Sequence, residues 1–505
     1  MSMDQQPSSW HFHADKPNGK KRKFSARTVS QNTTFRKSTA SSAKQQRIST
    51  ESSAFRKTAA PHRSAVATAV RRKSIPLPKI AAAVACVAVI GCGIWFAKEH
   101  IPNLLSSVGR QQSSLSGDNT VLKDIGGTCV IRSGEEKLPQ AIQQALKTWF
   151  VTTFNATAQF KAPNLSDLYS TDSEGTLSRL LDETALDYIG TVRSMQAVDL
   201  SLTGFEIGLT ILDCTSDGNG NYVVTLMEDD QVQFACLGGR TSSSCDIFHQ
   251  FTFTDDGLIL YHEKTEDGFT LIRELYQEQM SDSPEDTLRQ IRDMLVSTAQ
   301  FNITELNNQR SRYPSDADYI ASIAPTAAQP YNREAAVAYA RQWVGTTSVV
   351  RNTEWGVYDV YGGNCNNFAS QCLYAGGIPM DIYGYDFQQW KWYDETLNEN
   401  SDASGRSSSW SGVDEFYAYV QQNTGYGLVA QTDINIYAAQ PGDVIQYEAD
   451  GEWKHSVLVT EVLTDDNGQP LDLLIASNTT DRIDWPMSAY SYTNVRLIHV
   501  LGYNT

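Results

Sequence analysis

The segment GGNCNNFASQCLYAGG, residues 362–377, decides how the C-terminal part of the chain is interpreted. Two glycines precede Cys365. Small and apolar side chains then recur at helical spacing, at Phe368, Cys372 and Ala375. A second glycine pair, Gly376 and Gly377, ends the pattern. Cys365 is therefore predicted at the N-terminus of a helix, where unpaired backbone N–H groups and the helix dipole favour the thiolate. We expect the pKa of Cys365 to be lower than usual.

A thiolate nucleophile needs a base, and the sequence after residue 330 contains two histidines. His455 opens the apolar strand pattern KHSVLVTEVL, whereas His499 lies inside NVRLIHVLGY and is more simply a strand-packing residue. Asn478 ends the next strand pattern and could accept a hydrogen bond from His455, with Asp481 as the alternative. The predicted catalytic residues are therefore Cys365, His455 and Asn478.

Seven segments of this region occur in a characteristic order: YNREAAVAYARQW, CNNFASQCLYAGGIPM, WKWYDE, SSSWSGVDEFYAYV, PGDVIQYE, KHSVLVT and NTTDR. In that order they resemble the putative amidase domain common in Gram-positive bacteria, which is similar to the CHAP and NlpC kinds of cell-wall cysteine peptidase. The resemblance covers residues 328–505. It implies a papain-like α+β fold, with Cys365 as nucleophile and His455 as base.

The chain departs from the usual pattern of this family in two places. Asn364 stands where the family has Asp, and Asn366 stands where it has Thr. Asn478 stands where many members have His, which leaves the third catalytic residue open between Asn478 and Asp481.

The resemblance implies amide hydrolysis through a thioester, without a cofactor or a metal. The backbone N–H of Cys365 is expected to stabilise the oxyanion, with Tyr361 or Asn364 able to supply a second donor. Four aromatic residues could line the substrate cleft or belong to the core: Trp390, Trp392, Tyr393 and Trp410.

Charge divides the chain near residue 79. Residues 1–79 contain seventeen Lys and Arg against three acids, a net charge of +14, and the overall charge of −17 leaves −31 for the remainder. Residues 80–97 are uncharged and mostly apolar, and a helix of that length is about 27 Å long, enough to span a bilayer. The flanking basic residues predict a cytoplasmic N-terminus and extracytoplasmic C-terminal domains.

The sequence therefore predicts a basic disordered cytoplasmic tail able to contact anionic lipids and a single-pass cell-membrane protein. Nucleic acid is not expected as a partner, since the outer part of the chain is acidic. The tail is assigned to residues 1–79, the transmembrane helix to 80–97 and a stalk to 98–125.

Residues 126–280 combine helical patterns with alternating strand patterns and are predicted as an α+β cone-like domain. The segment FTFTDDGLILYHE resembles the sheet of nuclear-transport-factor-2-like cones. His249 and His262 have no nearby nucleophile pattern and are expected in core or surface roles.

Residues 281–327 are predicted as a helical segment and linker. The cysteine spacings match no zinc pattern, and Cys236 and Cys245 could close a hairpin as a disulfide. Cys129 and Cys214 have no assigned pairing.

The function expected from these features is a membrane-anchored cysteine amidase or peptidase acting on peptide amides, with peptidoglycan stem peptides as the substrate available outside the membrane. Two alternatives remain at this point. One is a non-catalytic cell-envelope scaffold or wall-binding protein with a degenerate amidase fold. The other is a transpeptidase or protein-processing protease, which would use the same thioester with another acceptor.

Overall fold

The computed structural model describes residues 122–265, 267–359, 363–392, 406–449, 451–490 and 492–505. The predicted basic tail, the predicted span at residues 80–97 and most of the stalk lie outside these residues. Within the described ranges, no helix is long and apolar enough to cross a membrane. The described structure therefore does not support the predicted transmembrane helix or the single-pass cell-membrane location.

The described structure is α+β, with helices packed on an eleven-stranded sheet. The helices are α1 (Gln140–Ala158), α2 (Ser173–Ser194), α3 (Asp267–Gln279), α4 (Pro284–Ile323), α5 (Arg333–Trp343), α6 (Cys365–Ala375), α7 (Ser408–Ser411) and α8 (Val413–Gln422).

The strands are β1 (Thr128–Ser133), β2 (Leu202–Ser216), β3 (Tyr222–Phe234), β4 (Ser242–Phe253), β5 (Ile259–Lys264), β6 (Gly427–Gln431), β7 (Val444–Ala449), β8 (Glu452–Thr464), β9 (Pro470–Ser477), β10 (Asp481–Pro486) and β11 (Asn494–Asn504). Their order in the sheet is β1-β2-β3-β4-β10-β9-β8-β7-β11-β6, with β5 paired to β4. The pair β1–β2 is parallel and the others are antiparallel.

Strands from both predicted domains share this sheet. The link is the antiparallel pairing of β4 with β10, in which Cys245 lies opposite Asp481 and Ser243 opposite Ile483. The domain boundaries at residues 280 and 328 stay predictions, but the strands of the two regions form one continuous hydrogen-bonded sheet.

Two apolar cores lie against the sheet. The larger core joins α1 to α4 with the cone-like strands and continues onto one face of β7, β8 and β9. The smaller core lies under α5 to α8 on the other face, and its fully buried members include Phe368, Trp410 and Leu458. This smaller core positions α6, and hence Cys365, against the sheet.

The helix of the region predicted as a helical segment and linker, residues 281–327, starts at Pro284, where the Ser283 hydroxyl accepts from the backbone N–H of Asp286 at 3.4 Å. It runs on to Ile323, past Pro314, into the segment predicted as a linker. The six cysteines of the described residues are all free, so Cys236 and Cys245 form no disulfide in this structure.

Candidate active site

Cys365 is the first residue of α6, where the sequence predicts the start of a helix. Its side chain is buried, and Sγ lies 4.0 Å from the carbonyl oxygen of Lys454 on β8. Burial raises the pKa of the Cys365 thiol above its ordinary value, although the backbone N–H groups of Ser456, Asn366 and Cys365 favour the thiolate. The pKa lowering expected from the helix N-terminus is therefore wrong, because desolvation outweighs those donors.

Asn364, the residue before Cys365, is hydrogen-bonded at every polar group, and its carbonyl oxygen accepts from the Phe368 N–H at 2.9 Å. Its backbone N–H donates to Thr479 Oγ1 at 2.5 Å, and its side-chain Nδ2 donates to Asn478 Oδ1 at 3.0 Å. Its Oδ1 accepts from Asn367 Nδ2 at 2.8 Å and from the backbone N–H of Tyr358 at 3.3 Å. The Asn364 N–H is thus committed to Thr479, so it is not open to an oxyanion. The other suggested donor, Tyr361, lies outside the described residues.

His455 lies on β8 between Lys454 and Ser456, whose backbone groups contact Cys365. Its neighbour Ser456 donates from Oγ to Asn366 Oδ1 on α6 at 2.8 Å. Because side chains alternate along a strand, the His455 side chain projects from the face of β8 opposite to Ser456. There its ring lies nearly parallel to that of Tyr447, with the ring centroids 6.2 Å apart, and is tilted to that of Tyr490, with the centroids 5.9 Å apart. His455 Nε2 has no hydrogen-bond partner among the described residues, so it is not bonded to Cys365 Sγ.

The protonation of His455 follows from its surroundings. Burial lowers the pKa of His455 to about 3, and the positive charge of Arg482 adds to the effect. The imidazole is therefore neutral near pH 7. Together with the raised pKa of Cys365, this makes the resting pair a neutral thiol and a neutral imidazole.

Neither candidate for the third catalytic residue is hydrogen-bonded to His455. Asn478 accepts from Asn364 and donates from Nδ2 to the carbonyl oxygen of Trp343 at 3.3 Å. Asp481 accepts at Oδ2 from the Gly345 N–H and from Arg351 Nη1, both at 2.7 Å. Burial raises the pKa of Asp481 to about 6, with Arg351 opposing the shift. Asn478 is therefore hydrogen-bonded to the residue before Cys365 and not to His455.

His499 and the aromatic residues belong to the framework. His499 Nδ1 lies 2.6 Å from Asp443 Oδ2, and Asp443 also pairs with Arg333 at 2.7 Å. Trp390 and Trp410 are fully buried in the smaller core, and Trp410 Nε1 donates to Asn367 Oδ1 at 2.9 Å. Trp392 packs against this core, and Tyr393 lies outside the described residues. Trp390 and Trp410 therefore support α6 from below.

Sequence reasoning missed a buried polar chain in the cone-like region. His249 and His262 are both inaccessible and lie 2.9 Å apart between their ring nitrogens. The sequence signal that could have found this chain is the alternation of side chains along the strands. It places His249 on β4 and His262 on β5 on the same face of the hairpin. The described ranges contain no cluster of three or more His, Cys, Asp or Glu arranged to hold a metal ion.

The model of the putative amidase domain family matches residues 330–501. Residues 330–501 are therefore similar to this family. The family confirms the resemblance proposed from the seven ordered segments and supports an amidase-like hydrolase function.

A search of curated proteins found a relative, the uncharacterized protein YhbB of Bacillus subtilis strain 168, that is 34% identical over 143 residues. The matched stretch is 28% of this chain and 40% of that relative, so the chain spans well under half of the relative's length. No solved structure matches the chain.

Proposed function

We propose that this protein is a cysteine amidase that hydrolyses peptide amide bonds through a thioester on Cys365. The observation that supports this most directly is the position of Cys365 at the first turn of α6, with three backbone N–H groups favouring its thiolate, inside a region that matches the model of an amidase family. The expectation of peptidoglycan as the substrate rested on the membrane location, so the proposal retains only the peptide amide class.

The proposed reaction starts from the neutral pair. His455 accepts the Cys365 proton as the sulfur attacks the amide carbonyl, and the carbonyl oxygen becomes an oxyanion that accepts from the Cys365 N–H. The C–N bond then breaks, and the amine leaves with the proton held by His455. Water attacks the resulting thioester, which releases the acid and restores the thiol.

The base step requires the His455 ring to come within hydrogen-bond reach of Sγ. In the absence of substrate such contacts are often loose in enzymes of this kind. The unpartnered Nε2 of His455 means that no existing side-chain hydrogen bond from that atom must break for the ring to reorient.

A second function is favoured by two observations. The buried thiol of Cys365 and the absence of a hydrogen bond from His455 Nε2 also suit a non-catalytic peptide-binding protein built on the same fold. A transpeptidase would use the same thioester and would differ only in the acceptor.

The test uses the full chain as wild type, Cys365→Ala and His455→Gln, incubated with peptide amides and, separately, with peptidoglycan fragments. We expect new amino groups from the wild type alone, and the product masses identify the bond. Binding of peptide without amine release in all three proteins would support the non-catalytic alternative. Transfer of the acyl group to an added amine at the expense of hydrolysis would support the transpeptidase.

A further inference from the structure

The turn between β9 and β10 has an unusual backbone. Thr479 and Thr480 both have positive φ, at 64° and 51°. Such positions normally take Gly, Asn or Asp, because a β-branched side chain is strained there. Strain of this kind is found where surrounding structure maintains it for a function.

The side chain of Thr479 has a specific partner. Its Oγ1 accepts the backbone N–H of Asn364 at 2.5 Å, immediately before Cys365. The preceding residue, Asn478, accepts from the Asn364 side chain at 3.0 Å. Gly363 approaches the same threonine, since a Cβ added there would lie 3.4 Å from Thr479 Oγ1. The turn therefore hydrogen-bonds both the backbone and the side chain of Asn364, the residue before the proposed nucleophile.

The next residue provides a contrast. Thr480 has the same kind of backbone conformation, but none of its hydrogen bonds reaches Asn364. Its carbonyl oxygen accepts from Ser477 Oγ at 3.3 Å, a contact within the turn.

We propose that Thr479 is a positioning residue for the reaction of Cys365, and that Asn478 assists it. Through the Asn364 N–H, Thr479 fixes the peptide plane between Gly363 and Asn364, while the Asn364 carbonyl, which accepts from the Phe368 N–H at 2.9 Å, anchors the following plane to α6. Thr479 thereby fixes the position of Asn364, from which the Cys365 N–H and Sγ extend. This inference deepens the proposed function and rests on it. It also reassigns Asn478, which acts on the nucleophile and not on the base.

The test compares Thr479→Gly with Thr480→Gly in the full chain. Both substitutions relieve a positive φ, but only Thr479→Gly removes the hydroxyl that holds Asn364. The readouts are the rate of iodoacetamide modification at Cys365, located by peptide mapping, together with kcat, KM and the denaturation midpoint.

We expect Thr480→Gly to match or exceed the wild type in denaturation midpoint, and Thr479→Gly to fall below Thr480→Gly because the Asn364 N–H loses its acceptor. We expect Thr479→Gly alone to slow Cys365 modification and kcat by about tenfold, with KM unchanged, and Thr479→Ser to restore both. Equal effects of the two glycine variants on Cys365, or no effect of Thr479→Gly, would overturn the inference. If the wild type hydrolyses no amide, the modification rates still decide the positioning role, so the two failures are distinguishable.

The buried chain in the cone-like region supports a second inference, independent of the amidase. His249 Nε2 lies 2.6 Å from Glu228 Oε2, His249 Nδ1 lies 2.9 Å from His262 Nε2, and His262 Nδ1 lies 2.5 Å from Asp182 Oδ2. Glu228 also pairs with Lys264 at 3.0 Å, and Asp182 accepts from the Tyr169 hydroxyl.

These three consecutive hydrogen bonds need three hydrogens. Two neutral imidazoles supply two, and two ionised carboxylates supply none. The chain therefore holds one proton more than that sum, whichever atom carries it. Without that proton two ring nitrogen lone pairs would face each other at 2.9 Å. With Lys264 included, the five groups are then electrically neutral, which suits their complete burial.

We infer that the cone-like region binds one proton in this chain, and that releasing the proton weakens the packing of β4 and β5 on α2. Other polar groups near the chain are Arg273 from α3, which donates to the His262 carbonyl, and Cys129 from β1, which lies in the field of Glu228. Above about pH 6.5 an unfolded histidine is neutral, so the folded state holds one more proton than the unfolded state there. Stability should consequently fall as pH rises.

The experiment measures the unfolding constant of the full chain from pH 7 to 9, for wild type and for His262→Gln. We expect the wild-type constant to rise about tenfold more per pH unit than that of the variant. Histidine ring ¹⁵N shifts of the wild type at pH 7.5 give an answer even if the variant does not fold. A hydrogen on His249 Nδ1 or His262 Nε2, the two facing nitrogens, supports the inference, and its absence from both overturns it.

Discussion

At the scale of single residues, the protonation states of Cys365 and His455 decide how the proposed nucleophile works. The thiol has a raised pKa and the imidazole a lowered one, both through burial. A preformed thiolate–imidazolium pair is therefore not the resting state. Proton transfer has to accompany the attack on the substrate, so the reaction depends on substrate binding for its activation.

This state predicts the pH profile of Cys365 alkylation. Because its pKa is above the ordinary thiol value, the rate should keep rising with pH up to and beyond pH 9. The measurement is site-resolved modification by iodoacetamide from pH 5 to 10, with Cys365→Ala to identify the modified peptide. A plateau below pH 8 would mean that a thiolate is already present and would contradict this account.

His455 predicts a pH effect on stability. Its pKa is about 3 in the folded chain and near 6.5 when unfolded, so only the unfolded state binds the proton between these values. Stability is therefore lost as pH falls from 6.5 toward 3. His455→Gln should show a shallower decline than wild type in denaturant titrations at pH 4 to 7. Parallel curves for the two proteins would show that His455 is not held neutral by the fold.

At the scale of elements, α6 depends on the tryptophan layer beneath it. Trp410 is fully buried, and its carbonyl oxygen accepts from Asn366 and Ser370 of α6 at 3.2 Å and 2.8 Å. Trp410→Ala should lower the free energy of unfolding by about 3–5 kcal/mol. The matched control is Tyr385→Ala, at a side chain that is 75% exposed, which should change it by less than about 0.5 kcal/mol. Similar losses for both variants in chemical denaturation would contradict this role.

The local elements of the site could be predicted from sequence, and their contacts could not. Helical spacing and glycines identified the start of α6 at Cys365, and apolar runs identified β8 and β9. The partner of Asn478 depends on where the β9–β10 turn meets Asn364, which neither segment encodes alone. The raised pKa of Cys365 depends on burial by residues far away in the chain, so a rule based on the helix N-terminus gave the wrong direction.

At the scale of the whole molecule, the pairing of β4 with β10 makes one sheet of two regions that the sequence suggests as separate domains. Further contacts cross the same junction: Arg240 pairs with Glu461 at 2.7 Å, and Trp485 packs edge-on against Phe234 at 5.2 Å. This pairing could not be predicted from sequence patterns, because strand neighbours distant in the chain leave no local pattern.

A fragment of residues 328–505 should consequently be less stable than the same residues in the full chain. It would expose the β10 edge and the apolar face that carries Trp485. Hydrogen exchange at β9 and β10 amides, compared between fragment and full chain, measures this directly. Equal protection in both would show that the C-terminal region folds independently of β4.

The central claim, a thioester on Cys365, is tested most directly by acid-quenched intact mass spectrometry of the full chain mixed with a peptide amide. We predict that the intact wild type gains the mass of the acyl group, that peptide mapping places it on the peptide containing Cys365, that hydroxylamine removes it, and that the amine product appears. In His455→Gln the adduct should form more slowly. Amine release without any adduct, or equal release by Cys365→Ala, would contradict the claim.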